Sequence, residues 1–171
     1  IEVKPYITVL GDGPMGLITA QIMSGLNASV RVIGRYPDKM AICEKWSIKH
    51  RHVDDIGRRA DQDVVVDCTG SPEGVPLAMQ LVRPRGTVLV KTMLSPSAIE
   101  ARPIDLTPMV EHEIQLIGSS TGPLTEALAR IEAGDIDVVP LITRRMRLDD
   151  GQAVLRILAQ SETMTVLVDA T

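Results

Sequence analysis

The stretch Ile7-Thr8-Val9-Leu10-Gly11-Asp12-Gly13-Pro14-Met15-Gly16 constrains this chain more than any other. A short apolar run, of the kind that forms a buried strand, stops at G-x-G-x-x-G. A helical pattern over Pro14–Leu26 follows at once, and Pro14 suits a first-turn position. Strand, glycine turn and helix in that order open a doubly wound α/β sheet. Gly11 permits the tight bend, Gly13 lets backbone approach a pyrophosphate closely, and Gly16 lets the helix pack on the strand. The helix start at Pro14, Met15 and Gly16 then turns its free N–H groups and positive dipole end toward the phosphates. Glycine-rich turns are common, so the pattern alone says little. Its place between a strand and a helix gives it weight.

The rest of the chain alternates in the same way. Val30–Ile33 reads as a second strand, Pro37–Trp46 as a helix and Lys49–Val53 as a weaker third strand. Asp63–Asp67 holds Val64-Val65-Val66, an apolar run typical of a strand covered on both faces. Pro72–Val82 is a helix, and Gly86–Val90 a strand after the turn Pro84-Arg85-Gly86. Ser95–Thr107 reads as a loop, with Pro96, Pro103 and Pro108 as breakers. Ile114–Ile117 is the sixth strand and Gly122–Ala133 a helix. The expected fold is an α/β Rossmann doubly wound parallel sheet, six strands in the order 3-2-1-4-5-6, with ligand across the carboxyl ends of strands one and four. The dinucleotide-binding domain is expected over 1–147. The tail, 148–171, is a helix (Leu148–Gln160) and a lone strand (Met164–Val168) with no slot in that sheet.

Composition removes several classes. The chain has 171 residues, 44% hydrophobic, enough for one cored domain without disulfides. With 18 basic and 22 acidic residues the net charge is −4, which gives no reason to expect nucleic acid or a membrane surface as partner. No apolar run approaches the ~18 residues of a membrane span, and no secretory signal is visible. Ile1 in first place suggests a processed or excised start. Cys43 and Cys68 form neither a C-x-x-C pair nor a disulfide framework, so a reduced, cytoplasmic protein is expected. Aromatics are 2% of the chain, so the core is aliphatic. His50, His52 and His112, the only histidines, lack the spacing of a zinc site, and no metal ligand or catalytic residue is expected within the chain.

The end of the second strand bears on the choice of dinucleotide. An NAD site usually has an acidic residue there, about 20 residues on from the glycine loop, to accept from the ribose hydroxyls. This chain has Gly34, then Arg35-Tyr36-Pro37-Asp38-Lys39. Glycine leaves room and arginine offers a planar fork of donors to a phosphate. NADP is therefore favoured, with Lys39 as a second contact to the adenosine end. NAD stays possible, with Asp38 as a carboxylate from the next turn.

Taken together, five segments resemble the medium-chain dehydrogenase/reductase superfamily, the zinc alcohol dehydrogenase-like proteins. They are Gly11–Leu17, Gly34–Lys39, Val66-Asp67-Cys68-Thr69-Gly70-Ser71-Pro72, Leu81–Val88 and Ile117-Gly118-Ser119, and the match covers nearly the whole chain. The resemblance implies that Cys68, Thr69 and Gly70 pass beside the cofactor ribose and diphosphate. It implies that Lys91 and Thr92, after the fifth strand, and Ser119 and Ser120, after the sixth, meet the nicotinamide end. Cys68 reads as a small strand-end residue rather than a nucleophile. The activity implied is hydride transfer between NADP(H) and an alcohol, polyol or carbonyl substrate. Catalytic zinc, the proton relay and most of the substrate pocket would belong to a GroES-like domain not contained in this sequence. The chain alone would then be inactive, and Met164–Val168 would be the strand returning to that domain. A homodimer is also implied, with the apolar segment Asp137–Thr143 as its expected sheet edge. Rival readings are a zinc-free quinone or enoyl reductase of the same superfamily, a non-catalytic dinucleotide sensor and, last, a methyltransferase.

Overall fold

A computed structural model describes residues 4–57, 59–94 and 104–169. Strands β1 (Tyr6–Leu10), β2 (Ser29–Gly34), β3 (Lys49–His52), β4 (Gln62–Asp67), β5 (Val82–Val90) and β6 (Gln115–Gly118) form one sheet. Its order is β3-β2-β1-β4-β5-β6, and all of its pairings are parallel. This is the expected doubly wound sheet. The crossovers hold α1 (Pro14–Ser24), α2 (Pro37–Met40), α3 (Ile42–Lys45), α4 (Gly74–Leu81) and α5 (Thr107–Glu111). Beyond β6 come α6 (Leu124–Glu132), β7 (Ile142–Arg147), α7 (Gly151–Leu158) and β8 (Thr165–Asp169).

Side-chain alternation along the strands builds a core on each face of the sheet. Val9 pairs with Val32 and with Val66, and all three join Leu17, Ala20, Cys43 and Ile48 on one face. Leu10, Ile33 and Val65 point the other way, onto Ala78, Met79, Leu81 and Val88. Burial on both faces is why these strands read as continuous apolar runs. No helix among the described residues is long and apolar enough to cross a membrane.

Several boundaries differ from the sequence expectation. The helix over Pro37–Trp46 is two single turns, α2 and α3, joined at Ala41. Strand β5 starts at Val82, not Gly86. Pro84-Arg85-Gly86 is not a turn before the strand but a bulge within it, where the β4–β5 register shifts and Arg85 takes φ 62°. Of the loop expected over 95–107, residues 95–103 lie outside the described residues. The tail helix is shorter than expected, beginning as a 3₁₀ turn before Gly151.

The last strand stands outside the six-stranded sheet, as expected, but it is not alone. β8 pairs in parallel with β7 to make a separate two-stranded sheet. The expectation that Asp137–Thr143 is an open sheet edge is corrected. Val139–Leu141 is a 3₁₀ turn, and Leu141 packs in the core beside α1, only 2% exposed. Leu141 is buried, Val138 and Ile142 are half-buried, and Val139 stays exposed. Among the described residues β6 is an edge strand of the main sheet, and every residue of it is exposed.

Candidate functional site

Strands β1 and β4 are neighbours whose chains continue to opposite sides of the sheet. The carboxyl ends at such a reversal frame a crevice. Here it is a cavity of about 290 Å³ lined by Gly11, Asp12 and Gly13, by Gly34, Arg35, Tyr36 and Lys39, by Cys68 and Thr69, and by Glu73 with Gly74 and Leu77 of α4. The structure thus brings seven sequence-selected residues to one cavity: Gly11, Gly13, Gly34, Arg35, Lys39, Cys68 and Thr69.

The glycine loop has the geometry of a phosphate cradle. Gly11 sits at φ 109°, and a Cβ there would lie 2.9 Å from the Cys68 carbonyl oxygen. Its N–H donates to Ile33 O at 2.8 Å, tying the turn to β2. A Cβ on Gly16 would lie 2.9 Å from the Gly11 carbonyl carbon, so α1 can sit this close to the turn only with glycine there. A Cβ on Gly13 would meet nothing within 4 Å, so this backbone faces open space. Helix α1 begins directly behind it with Pro14 at its first turn, and Met15 is exposed. An open backbone at the start of an 11-residue helix fits a diphosphate.

One residue that matters here escaped the sequence reading. Asp12, 8% exposed, turns its carboxylate to the end of β2. Its Oδ2 accepts from the backbone N–H of Arg35 at 2.7 Å and of Tyr36 at 2.6 Å. A carboxylate does stand at the end of the second strand, then, but it comes from the glycine loop. Gly34 is where it fits: a Cβ there would lie 2.6 Å from Asp12 Cβ and Cγ. The signal in sequence was an acidic residue inside a phosphate loop, a costly choice unless other groups take up its charge.

Beyond Gly34, Arg35 is exposed, and Lys39 Nζ lies 4.7 Å from the centroid of the Tyr36 ring. The Arg35 carbonyl faces His52 Nε2 at 3.1 Å, while His52 Nδ1 accepts from Asp54 N–H at 3.3 Å. With Nδ1 as acceptor, the Nε2–H donates to the Arg35 carbonyl. Asp38, the alternative carboxylate, is exposed and does not line the cavity.

The other selected residues gather at the ends of β4, β5 and β6. Buried Asp67 accepts from both the N–H and the hydroxyl of Thr69, at 3.0 and 2.7 Å. Gly70, at φ 62°, donates its N–H to Thr92 Oγ1 at 2.7 Å. Lys91 Nζ donates to Ser119 Oγ at 3.2 Å, and Ser119 N–H to Val90 O at 2.9 Å. Ser120 follows, exposed. Cys68 lies against α1, its thiol 3.8 Å from Thr19 Oγ1, and burial pushes its pKa up to about 11. A thiol so rarely ionised is a poor nucleophile.

Among the described residues no group of three or more His, Cys, Asp or Glu side chains could hold a metal ion. His50 lies beside Glu44 and His52 beside Asp54, each at 3.5 Å.

Known proteins share this architecture. The L-idonate 5-dehydrogenase structure from Escherichia coli superposes with a TM-score of 0.86 at 18% identity, over 97% of this chain and 50% of that one. A Sinorhizobium meliloti protein assigned as a zinc-binding dehydrogenase, solved bound to NADP, gives 0.83 at 24% identity, over 99% and 54%. In sequence, D-arabitol-phosphate dehydrogenase of Enterococcus avium is 22% identical over 99% of this chain and 52% of its own length. (R,R)-butanediol dehydrogenase of Saccharomyces cerevisiae is 26% identical over 84% and 42%. The chain thus spans about half the length of these relatives. The zinc-binding dehydrogenase family model matches residues 14–133, from the first helix past β6 to the end of α6. With the glycine cradle, the strand order and this match in agreement, the chain belongs to the zinc-binding dehydrogenase family.

Proposed function

We propose that this chain is the cofactor-holding half of an oxidoreductase that passes hydride between NADP(H) and an alcohol, polyol or carbonyl compound. The observation that carries this is one cavity lined by an open glycine turn and, at its far end, by Arg35 and Lys39. The loop from Gly11 to Gly16, with Pro14 and Met15 at the helix start, holds the diphosphate. Arg35 and Lys39 meet the 2′-phosphate. Cys68, Thr69 and Gly70 flank the ribose, and Lys91, Thr92, Ser119 and Ser120 border the nicotinamide end. NAD is the weaker ligand. The bound cofactor supplies the hydride chemistry, and these residues hold it in place.

Zinc, the proton relay and most substrate contacts belong to a second domain, apart from the half of the relatives that this chain matches. The chain alone is accordingly inactive toward alcohols. The domain boundary near 147 separates the nucleotide-binding part from the segment that reaches the second domain. Two free buried thiols fit a cytoplasmic protein. Self-association as a homodimer uses the open β6 edge.

Calorimetric titration of NADP and NAD against the wild type and Arg35→Ala tests the reading. Hydrogen bonds to charged groups contribute about 1.5–3 kcal/mol, so NADP is favoured by about 10- to 150-fold. Screening of an exposed arginine moves the value toward the low end. Arg35→Ala loses most of that preference with little change for NAD. Equal affinity for both cofactors in the wild type overturns it.

A further inference from the structure

The glycine pattern assigns roles to its glycines and none to the residue between the first two. In this chain that residue is Asp12, a carboxylate beside a cradle built for anions. Left bare, it would repel a phosphate. It is not bare, because the N–H groups of Arg35 and Tyr36 both donate to Oδ2 and the residue is almost wholly buried. These are charge-assisted bonds, stronger than those between neutral groups. The two N–H groups open the turn into α2, whose own first residues provide no side-chain cap. Asp12 thus caps this turn from 23 residues away.

The same peptide is held from its other side. The Arg35 carbonyl accepts from His52 on β3, and His52 is itself fixed by Asp54 N–H. One end of the grip is rooted in the diphosphate loop and the other in the neighbouring strand. Arg35 is thereby held at a set distance from Gly11 and Gly13, although its side chain is exposed.

We infer that Asp12 is a positioning residue for cofactor choice: its carboxylate fixes the backbone from which Arg35 reaches the 2′-phosphate. Asp12 contributes to discrimination between NADP and NAD without touching the phosphate. The inference rests on the proposal that Arg35 meets that phosphate, so the wild type and Arg35→Ala are titrated first. Asp12→Ala and Asp12→Asn follow, with NADP and NAD as the probes.

Asp12→Ala removes the acceptor and lowers the ratio of NADP to NAD affinity by about tenfold, the equivalent of ~1.4 kcal/mol. NAD affinity moves much less. Asp12→Asn keeps an acceptor oxygen at the same place and retains the preference, which a merely structural loss would not predict. Should Asp12→Ala fail to fold, Gly34→Ala displaces the carboxylate instead of deleting it and lowers the ratio in the same direction. An Asp12→Ala or Gly34→Ala variant with the wild-type ratio overturns the inference alone. So does an Asp12→Asn variant that falls as far as Asp12→Ala. A wild type without preference, or an Arg35→Ala variant that keeps it, overturns the cofactor reading and this inference together.

Discussion

The side-chain amide of Gln21 pairs with the backbone of Asp137 in both directions: Nε2 donates to Asp137 O at 3.1 Å, and Asp137 N–H donates to Oε1 at 2.8 Å. Gln21 lies in α1 and is buried, so this pair ties the segment after α6 to the first helix. Gln21→Ala leaves both Asp137 backbone groups without that partner, at a cost of about 1–3 kcal/mol. Trp46, the only tryptophan, donates its indole N–H to Asp137 Oδ2 at 3.4 Å and reports on the same place. Denaturation followed by its fluorescence should show the loss. A variant with wild-type stability would mean that the pair holds nothing.

Asp63 gives a pH-dependent contribution. The Arg83 guanidinium donates to Oδ1 at 2.7 Å and the Tyr6 N–H to Oδ2 at 2.8 Å, and these bonds hold its carboxyl below the usual range. A carboxyl with a lowered native pKa stabilises the fold above its unfolded value of about 3.9. That contribution fades as pH falls from there through the native pKa. Both side chains are partly exposed, so its size is about 1 kcal/mol. Asp63→Asn should therefore be less stable than the wild type at pH 7, and the gap should shrink in urea melts at pH 3. A gap that stays constant with pH would refute the assignment.

Burial pushes the thiols of Cys43 and Cys68 up to about 11. Iodoacetamide at pH 8 should label them slowly in the folded chain and rapidly in denaturant. Fast labelling of Cys68 in the folded state would show an opening at the strand end beside the cavity.

Self-association through β6 predicts that Ile117→Lys shifts the chain to monomer with little change in melting temperature. Ile117 is 46% exposed on a strand that is unpaired on one side among the described residues, where a lysine is tolerated but opposes pairing. Sedimentation at high concentration decides; a wild type that is monomeric there counts against the dimer.

The sheet was legible because Val9, Val32 and the Val64–Val66 run have only one comfortable place, inside a parallel sheet covered on both faces. The geometry of the glycine turn was legible because the glycines act locally, each on the turn that contains it. Asp12 was not. Its partners are backbone N–H groups 23 and 24 residues away, and amide groups carry no side-chain signature. The β5 bulge was hidden for a related reason. Arg85 takes the left-handed conformation next to a glycine that looked like the obvious turn residue. The β7–β8 pairing joins segments across α7, and apolar periodicity does not record which strand a partner is.

If Arg35 sets the cofactor preference as proposed, the packing of Asp12 against Gly34 also constrains how that preference can drift over generations. A carboxylate fits at the end of β2 from position 12 or from position 34, but the close approach leaves no room for both. Acidic replacement of Gly34, which would place an acceptor for the ribose hydroxyl, would put two carboxylates in one space while Asp12 remains. Loss of Asp12 first would leave the turn tied only through the Arg35 carbonyl to His52. On the cofactor reading proposed above, either order is expected to pass through a poorer intermediate. The two sites would then be epistatic, and a lineage or a library that changes them one at a time would meet a valley that a paired substitution crosses in one move.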